Sequence, residues 1–143
     1  MARQRLSLSP PLDYLGYDGG AGIGSGPGMV VGAALALKGS GRVPLAILGD
    51  GDLIMGINAL WTAAHHDVPL LIVVANNRAY YNDIVHQETA ARERDRPVEN
   101  KWVGQRLDQP LVDIAAMARA LTTSMTVGLG FLILVVALQA MLG

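Results

Sequence analysis

Two short apolar runs, separated by an uncharged segment, dominate the hydrophobic pattern of the chain. Residues 43–48 and 70–75 are almost entirely apolar, which is typical of parallel strands covered on both faces. Between them, residues 53–66 carry no charged side chain other than histidine and repeat apolar residues at helical spacing, which predicts a helix that buries Trp61. This order of strand, helix and strand predicts an α/β fold, a three-layer α/β/α arrangement with a mostly parallel sheet that is incomplete at both ends.

The segments on either side of this unit have weaker patterns. Residues 1–18 show few periodic positions, and we interpret them as a linker or a truncated segment. Residues 19–28 are rich in glycine, which predicts a tight loop leading into a helix over residues 29–38, with a flexible linker as the alternative. Pro110 predicts the start of another helix that runs to Leu121.

The C-terminal residues 122–143 contain no charged side chain. Residues 125–142 are mostly apolar and reach the lower limit of about 17 residues for a membrane-spanning helix. Three interpretations stay open for this tail. It is a membrane anchor, a buried helix or strand that completes the sheet, or a sequence unrelated to the preceding domain.

Composition limits the class of protein. A chain of 143 residues has room for one domain, and its net charge of −1 argues against the clustered basic face of a nucleic-acid-binding protein. The chain has no cysteine, which excludes disulfides and thiolate metal sites and suits a cytoplasmic protein. Residues 1–11 lack the apolar core of a secretory signal. Attachment to a membrane through residues 123–143 is the alternative to a cytoplasmic location.

Polar residues that can bind a cation and a phosphate follow both predicted strands. Gly49, Asp50 and Gly51 come directly after the first apolar run, and Asn76 and Asn77 come directly after the second. Ligands of open parallel sheets bind beyond the carboxyl ends of the strands. Carboxylate and amide oxygens suit Mg²⁺, and glycines allow a diphosphate to approach the backbone closely. The pattern therefore favours a cation and diphosphate site over an ordinary polar turn.

The spacing of these residues resembles a known motif, Gly-Asp-Gly followed after about two dozen residues by Asn-Asn. Here 24 residues, 52–75, separate Gly51 from Asn76. The chain from about Leu15 to Leu121 resembles the C-terminal diphosphate-binding domain of thiamine-diphosphate-dependent enzymes of the benzoylformate decarboxylase and acetolactate synthase branch. The resemblance implies that residues 19–121 form a domain that binds thiamine diphosphate and Mg²⁺.

The resemblance also assigns residues to this site. It implies three Mg²⁺ ligands, the Asp50 carboxylate, the Asn77 side-chain oxygen and the backbone carbonyl of Ala79. We expect Asp52 to bind through its N–H, because a second carboxylate near a diphosphate is repulsive, and we note that the family often has a bulky apolar residue in place of Ala21. The implied cofactor-binding residues are Gly20, Ala21, Gly22, Gly49, Asp50, Gly51, Asp52, Asn77, Tyr80 and Tyr81. No catalytic residue of this chain is implied.

The activity implied by the resemblance is that of a lyase or transferase acting on 2-oxo acids by decarboxylation or carboligation. Such enzymes need a pyrimidine-binding domain or subunit whose glutamate activates the cofactor, and no glutamate of this chain is assigned that role. We therefore expect a partner domain, an oligomer and a small 2-oxo acid substrate. A non-catalytic membrane-anchored or remnant domain is the alternative.

Overall fold

The computed structural model describes residues 13–16, 23–122 and 131–137, the last of these for the backbone alone. Within these ranges, three parallel strands form one sheet in the order β1-β2-β3. This arrangement confirms the predicted α/β class and the parallel, incomplete sheet. The strands are β1 Leu45–Gly49, β2 Leu70–Asn76 and β3 Phe131–Ala137.

The helices differ in detail from the pattern that the sequence predicts. The single helix expected over residues 53–66 is two short helices, and the first of these begins at Asp50, directly at the end of β1. The break follows Gly56, a weak helix former at the last position of the first helix. The five α-helices of the described residues are α1 Ser25–Ala36, α2 Asp50–Gly56, α3 Ala59–His65, α4 Tyr81–Glu93 and α5 Ile114–Thr122, and Val98–Trp102 forms a 3-10 helix.

The hydrophobic core lies between one face of the sheet and the helices α1, α3 and α5. Alternate residues of β2 point into it, so Leu70, Ile72 and Val74 are fully buried. Leu53 and Leu60 pack against them from α2 and α3 and are also fully buried. This packing fixes the strands relative to the helices and thereby fixes where β1 and β2 end.

Two apolar features expected to be buried are exposed. Leu45 and Ile47, which alternate with the buried Ala46, are 61% and 72% exposed, so among the described residues β1 is covered on one face only. Trp61 is 56% exposed and stacks on His65 with a distance of 4.9 Å between ring centroids, so the prediction that it packs in the core is wrong. The buried residues of α3 are Leu60 and Ala63, and Trp61 points about 100° away from Leu60, on a face of the helix that is exposed to solvent.

The C-terminal tail contributes a strand. Residues 131–137 pair in parallel with β2, in agreement with the interpretation that the tail completes the sheet. Residues 123–130 and 138–143 lie outside the described residues. Within the described ranges, no helix has the length and apolar character needed to cross a bilayer.

Candidate functional site

Asp50 joins the ends of the two neighbouring strands. It follows β1 directly, and the parallel register that pairs Gly49 with Ala75 brings it beside the chain that leaves β2. The side chain is 3% exposed. Its Oδ1 accepts a hydrogen bond from its neighbour Gly51 N at 2.9 Å, and its Oδ2 accepts one from Arg78 N at 2.5 Å. The carboxylate therefore contacts the first turn of α2 and the loop after β2 at once.

The loop after β2 has a defined and strained conformation. Arg78 has a φ of 60°, a left-handed value that is uncommon for a residue other than glycine. The Asn77 Oδ1 accepts a hydrogen bond from Ala79 N at 3.0 Å, which closes the turn around Arg78. This turn directs the N–H of Arg78 at the Asp50 carboxylate.

A distant segment holds this loop in place. Leu107 N donates to the carbonyl of Arg78 at 2.8 Å, and Tyr80 N donates to the carbonyl of Gln105 at 2.9 Å. These two bonds form an antiparallel bridge between Ala79 and Arg106. Neither bond uses the carbonyl of Ala79, because the flanking residues supply both hydrogen-bonding groups.

The electrostatics of Asp50 favour a bound cation. Burial raises the pKa of the Asp50 carboxyl, and the hydrogen bonds from Gly51 and Arg78 offset that effect only in part. None of the ion pairs found among the described residues involves Asp50. A cation at this position would stabilise the charged carboxylate that burial disfavours.

The chemistry of the available donors fits a hard divalent ion. Asp50, Asn77 and Ala79 offer a carboxylate, an amide oxygen and a backbone carbonyl, which are the oxygen ligands that Mg²⁺ prefers. The part of the chain that the structure describes contains no group of three His, Cys, Asp or Glu side chains arranged for a metal. The donor set therefore suits Mg²⁺ and offers none of the nitrogen or sulfur ligands that are typical of zinc.

Tyr80 lies against the first turn of α2. A Cβ added to Gly51 would lie 2.7 Å from Tyr80 Cδ1 and closer still to Cε1, so the ring packs directly on the glycine. Burial, and then the nearby Asp50 charge, raise the pKa of the Tyr80 hydroxyl. Tyr81 begins α4 and is 48% exposed. Tyr80 thus lies at the strand ends with Asp50, while Tyr81 lies at the adjoining surface.

Asp52 faces a different neighbour from Asp50. Its side chain is 9% exposed, and its Oδ1 accepts a hydrogen bond from Gly24 N at 2.7 Å, immediately before α1. The predicted contacts at Gly20, Ala21 and Gly22 lie outside the described residues.

Two parts of the site were missed by sequence reasoning. The bridge from residues 105–107 carries no sequence signal, because it is made by backbone atoms far along the chain. The contact between Asp52 and Gly24 was also missed, although the repulsion expected between the Asp52 carboxylate and a diphosphate was a signal that this side chain faces another partner.

Comparison with known proteins identifies the family. Residues 1–130 match the family model described as the thiamine pyrophosphate enzyme, C-terminal TPP binding domain. The chain is therefore a member of an enzyme family whose cofactor is thiamine pyrophosphate, another name for thiamine diphosphate. It belongs to the C-terminal TPP binding domain family, which confirms the resemblance seen in the sequence.

Two relatives are decarboxylases by name. Benzoylformate decarboxylase from Pseudomonas aeruginosa is 36% identical over 77 residues, which cover 54% of this chain and 14% of that protein. The solved structure of the thiamine diphosphate-dependent 4-hydroxybenzoylformate decarboxylase from Rhodococcus jostii RHA1 aligns with a TM-score of 0.52 and 26% identity, covering 69% of this chain and 17% of that chain. This chain thus spans less than a fifth of the length of either relative.

Proposed function

We propose that this chain binds thiamine diphosphate through Mg²⁺ and forms the diphosphate-binding part of a lyase or transferase that acts on 2-oxo acids. The observation that carries the proposal is the hydrogen bond of 2.5 Å between Asp50 Oδ2 and Arg78 N. It brings the buried carboxylate at the end of β1 to the loop that bears the other two proposed metal ligands.

Each proposed ligand has a physical reason. The Asp50 carboxylate supplies negative charge in a buried position, and the Asn77 side-chain oxygen and the Ala79 carbonyl would supply two neutral oxygen ligands. The 105–107 bridge holds the loop that bears the Asn77 and Ala79 oxygens, so these oxygens would be held in place for an ion.

The remaining proposed contacts surround the diphosphate and the thiamine portion. Gly49 leaves the backbone exposed at the end of β1, and Gly51 lies beneath the Tyr80 ring. The N–H of Asp52 and the residues Tyr80 and Tyr81 are proposed to lie along the phosphates. Gly20, Ala21 and Gly22 are proposed to approach the thiamine portion. When bound, the cofactor supplies the nucleophilic carbon that attacks the carbonyl of a 2-oxo acid. The residues of this chain hold and orient it, and none is proposed to transfer a proton.

The proposed activity requires a second domain. We propose a pyrimidine-binding domain or subunit as the partner, within an oligomer in the cytoplasm. The names of the two relatives support decarboxylation of an aryl 2-oxo acid over carboligation of the acetolactate synthase type, because both relatives are named for a benzoylformate substrate.

Calorimetric titration of the full chain with thiamine diphosphate, with and without Mg²⁺, tests this proposal. We expect binding that requires Mg²⁺, and we expect Asp50→Asn to weaken it by at least about tenfold, which corresponds to about 1.4 kcal/mol. Asp67→Asn is the matched control, since it makes the same chemical change at an exposed residue. Asp67 has a left-handed backbone conformation, which asparagine also tolerates. Equal effects of the two substitutions, or binding that is indifferent to Mg²⁺, would contradict the proposed metal site.

A further inference from the structure

Asp52 is a buried acidic side chain that the proposed metal site does not use. Its Oδ1 accepts the N–H of Gly24 at 2.7 Å, and Gly24 has a φ of 89° immediately before the start of α1. The N-cap residue of α1 is Gly24, which makes no side-chain cap hydrogen bond. The carboxylate of Asp52 therefore provides, from α2, a hydrogen-bond acceptor next to the start of α1.

The two helices meet at this point without free space. A Cβ on Gly26 would lie 3.1 Å from Asp52 Cγ, 3.0 Å from Leu48 Cδ2 and closer still to Asp52 Oδ2. A Cβ on Gly56, at the other end of α2, would lie 3.0 Å from Pro27 Cγ and closer still to the carbonyl of Gly24. Glycines on both helices thus allow α1 to contact α2 at its first and its last turn.

The contact between α1 and α2 also restrains Asp50, which supplies a proposed metal ligand. Asp50 and Asp52 lie in the same turn of α2, about 200° apart around the helix axis at about 100° per residue. Asp50 contacts the loop after β2, and Asp52 contacts the start of α1. Rotation or displacement of α2 would therefore break both contacts together.

We infer that the Asp52 side chain is a positioning residue, which anchors the first turn of α2 to α1 and thereby holds Asp50 in place for the cofactor's metal. The inference rests on the proposed function, since it concerns the geometry of the same site. It gives the Asp52 carboxylate a role separate from the contact proposed for its N–H. The side chain acts as a hydrogen-bond acceptor and touches neither the metal nor the diphosphate.

Three variants of the full chain test this role. Asp52→Ala removes the acceptor, and Asp52→Asn keeps an oxygen acceptor while removing the charge. Gly26→Ala leaves Asp52 unchanged and displaces its carboxylate by steric contact. Hydrogen–deuterium exchange at the Gly24 amide reports the hydrogen bond, and titration with thiamine diphosphate in the presence of Mg²⁺ reports the site. Circular dichroism confirms that each variant is folded, and Asp52→Ser replaces Asp52→Ala, with the same expectation, if the latter does not fold.

We expect Asp52→Ala to accelerate exchange at Gly24 and to weaken cofactor binding by about tenfold, the size expected for the loss of one hydrogen bond. Asp52→Asn should bind the cofactor with most of the affinity of the unaltered chain. Gly26→Ala alone should weaken binding, but the Gly26→Ala and Asp52→Ala double variant should bind no more weakly than Asp52→Ala alone. A merely structural role would lower the melting temperature and leave the affinity unchanged, and that result would overturn the inference.

The remaining outcomes separate this inference from the proposed function. An Asp52→Asn variant as weak as Asp52→Ala would mean that charge rather than hydrogen bonding matters, and it would overturn the inference while leaving the cofactor site intact. If the unaltered chain did not bind thiamine diphosphate, the proposed function would fail and the inference with it, whatever the exchange rate at Gly24.

Discussion

Substitution of Gly51 by alanine tests the packing at the centre of the proposed site without any need for the cofactor. Gly51 lies in the first turn of α2 and has helical backbone angles that alanine also adopts, so the new methyl group is the whole perturbation. That methyl would lie 2.7 Å from Tyr80 Cδ1, 3.0 Å from Cζ and closer still to Cε1. The Tyr80 ring must therefore move.

Two opposing terms set the expected size of the effect. Overpacking of this kind typically costs about 1–3 kcal/mol. Alanine is favoured over glycine in a helix by about 1 kcal/mol, which offsets part of that cost. A Tyr80→Ala background removes the steric term and keeps the helix term, so the difference between the two backgrounds isolates an interaction of about 1–3 kcal/mol.

Urea unfolding of the four chains of this double-mutant cycle, without cofactor, measures the interaction. Gly49→Ala is the matched control, because a Cβ at Gly49, two residues earlier, would meet nothing within 4 Å. We expect the Gly49 cycle to be additive within about 0.5 kcal/mol and the Gly51 cycle not to be. An additive Gly51 cycle would show that Tyr80 does not pack on Gly51 and would refute the described geometry of the site.

Further predictions concern α1 and α4. Gly28→Ala should raise the free energy of unfolding by about 1 kcal/mol, because alanine favours a helix and a Cβ there meets nothing within 4 Å. Gly26→Ala should lower the free energy of unfolding, because its Cβ meets Asp52. If Gly28→Ala destabilised the chain, the described packing of α1 would be wrong. The pKa of Glu88 lies below its ordinary value of 4.5, mainly because Lys101 donates a hydrogen bond to its carboxylate. The pair therefore stabilises the folded chain above pH 4.5. This contribution is lost as the pH falls through the lower pKa of the folded state. In denaturation measured from pH 7 to pH 3, Glu88→Gln should therefore flatten the acid loss of stability and Glu93→Gln, on the same helix, should not; equal slopes would rule out this contribution.

The strand ends were predictable from the sequence because the signals that specify them are local. Two apolar runs define β1 and β2, and parallel strands present their carboxyl ends at one edge of a sheet. Asp50 and Asn77 follow those runs with one residue in between, so the topology predicts that Asp50 lies near the loop after β2 without knowledge of distant contacts. The observed hydrogen bond from Arg78 N to Asp50 agrees with that reasoning.

The features that could not be predicted depend on contacts between distant segments. The break between α2 and α3 follows Gly56, which packs against the start of α1, and Trp61 lies on the face of α3 that stays exposed. The bridge from residues 105–107 uses backbone atoms, which any sequence would supply. Helical periodicity describes one isolated helix, so it does not report which neighbour interrupts that helix or which face remains in solvent.

The first turn of α2 explains why so much of the proposed function depends on three consecutive residues. Successive residues of a helix point about 100° apart, so Asp50, Gly51 and Asp52 face three different neighbours. Asp50 contacts the loop after β2, Gly51 contacts Tyr80, and Asp52 contacts the start of α1. Arg78 and Tyr80 belong to the loop that residues 105–107 hold, whereas Gly24 lies at the start of α1. Because this turn is held from both sides, a shift that relieves one contact strains the others. The position of the Asp50 carboxylate is consequently set by the fold before any ion binds, which is the preorganisation that a metal site requires.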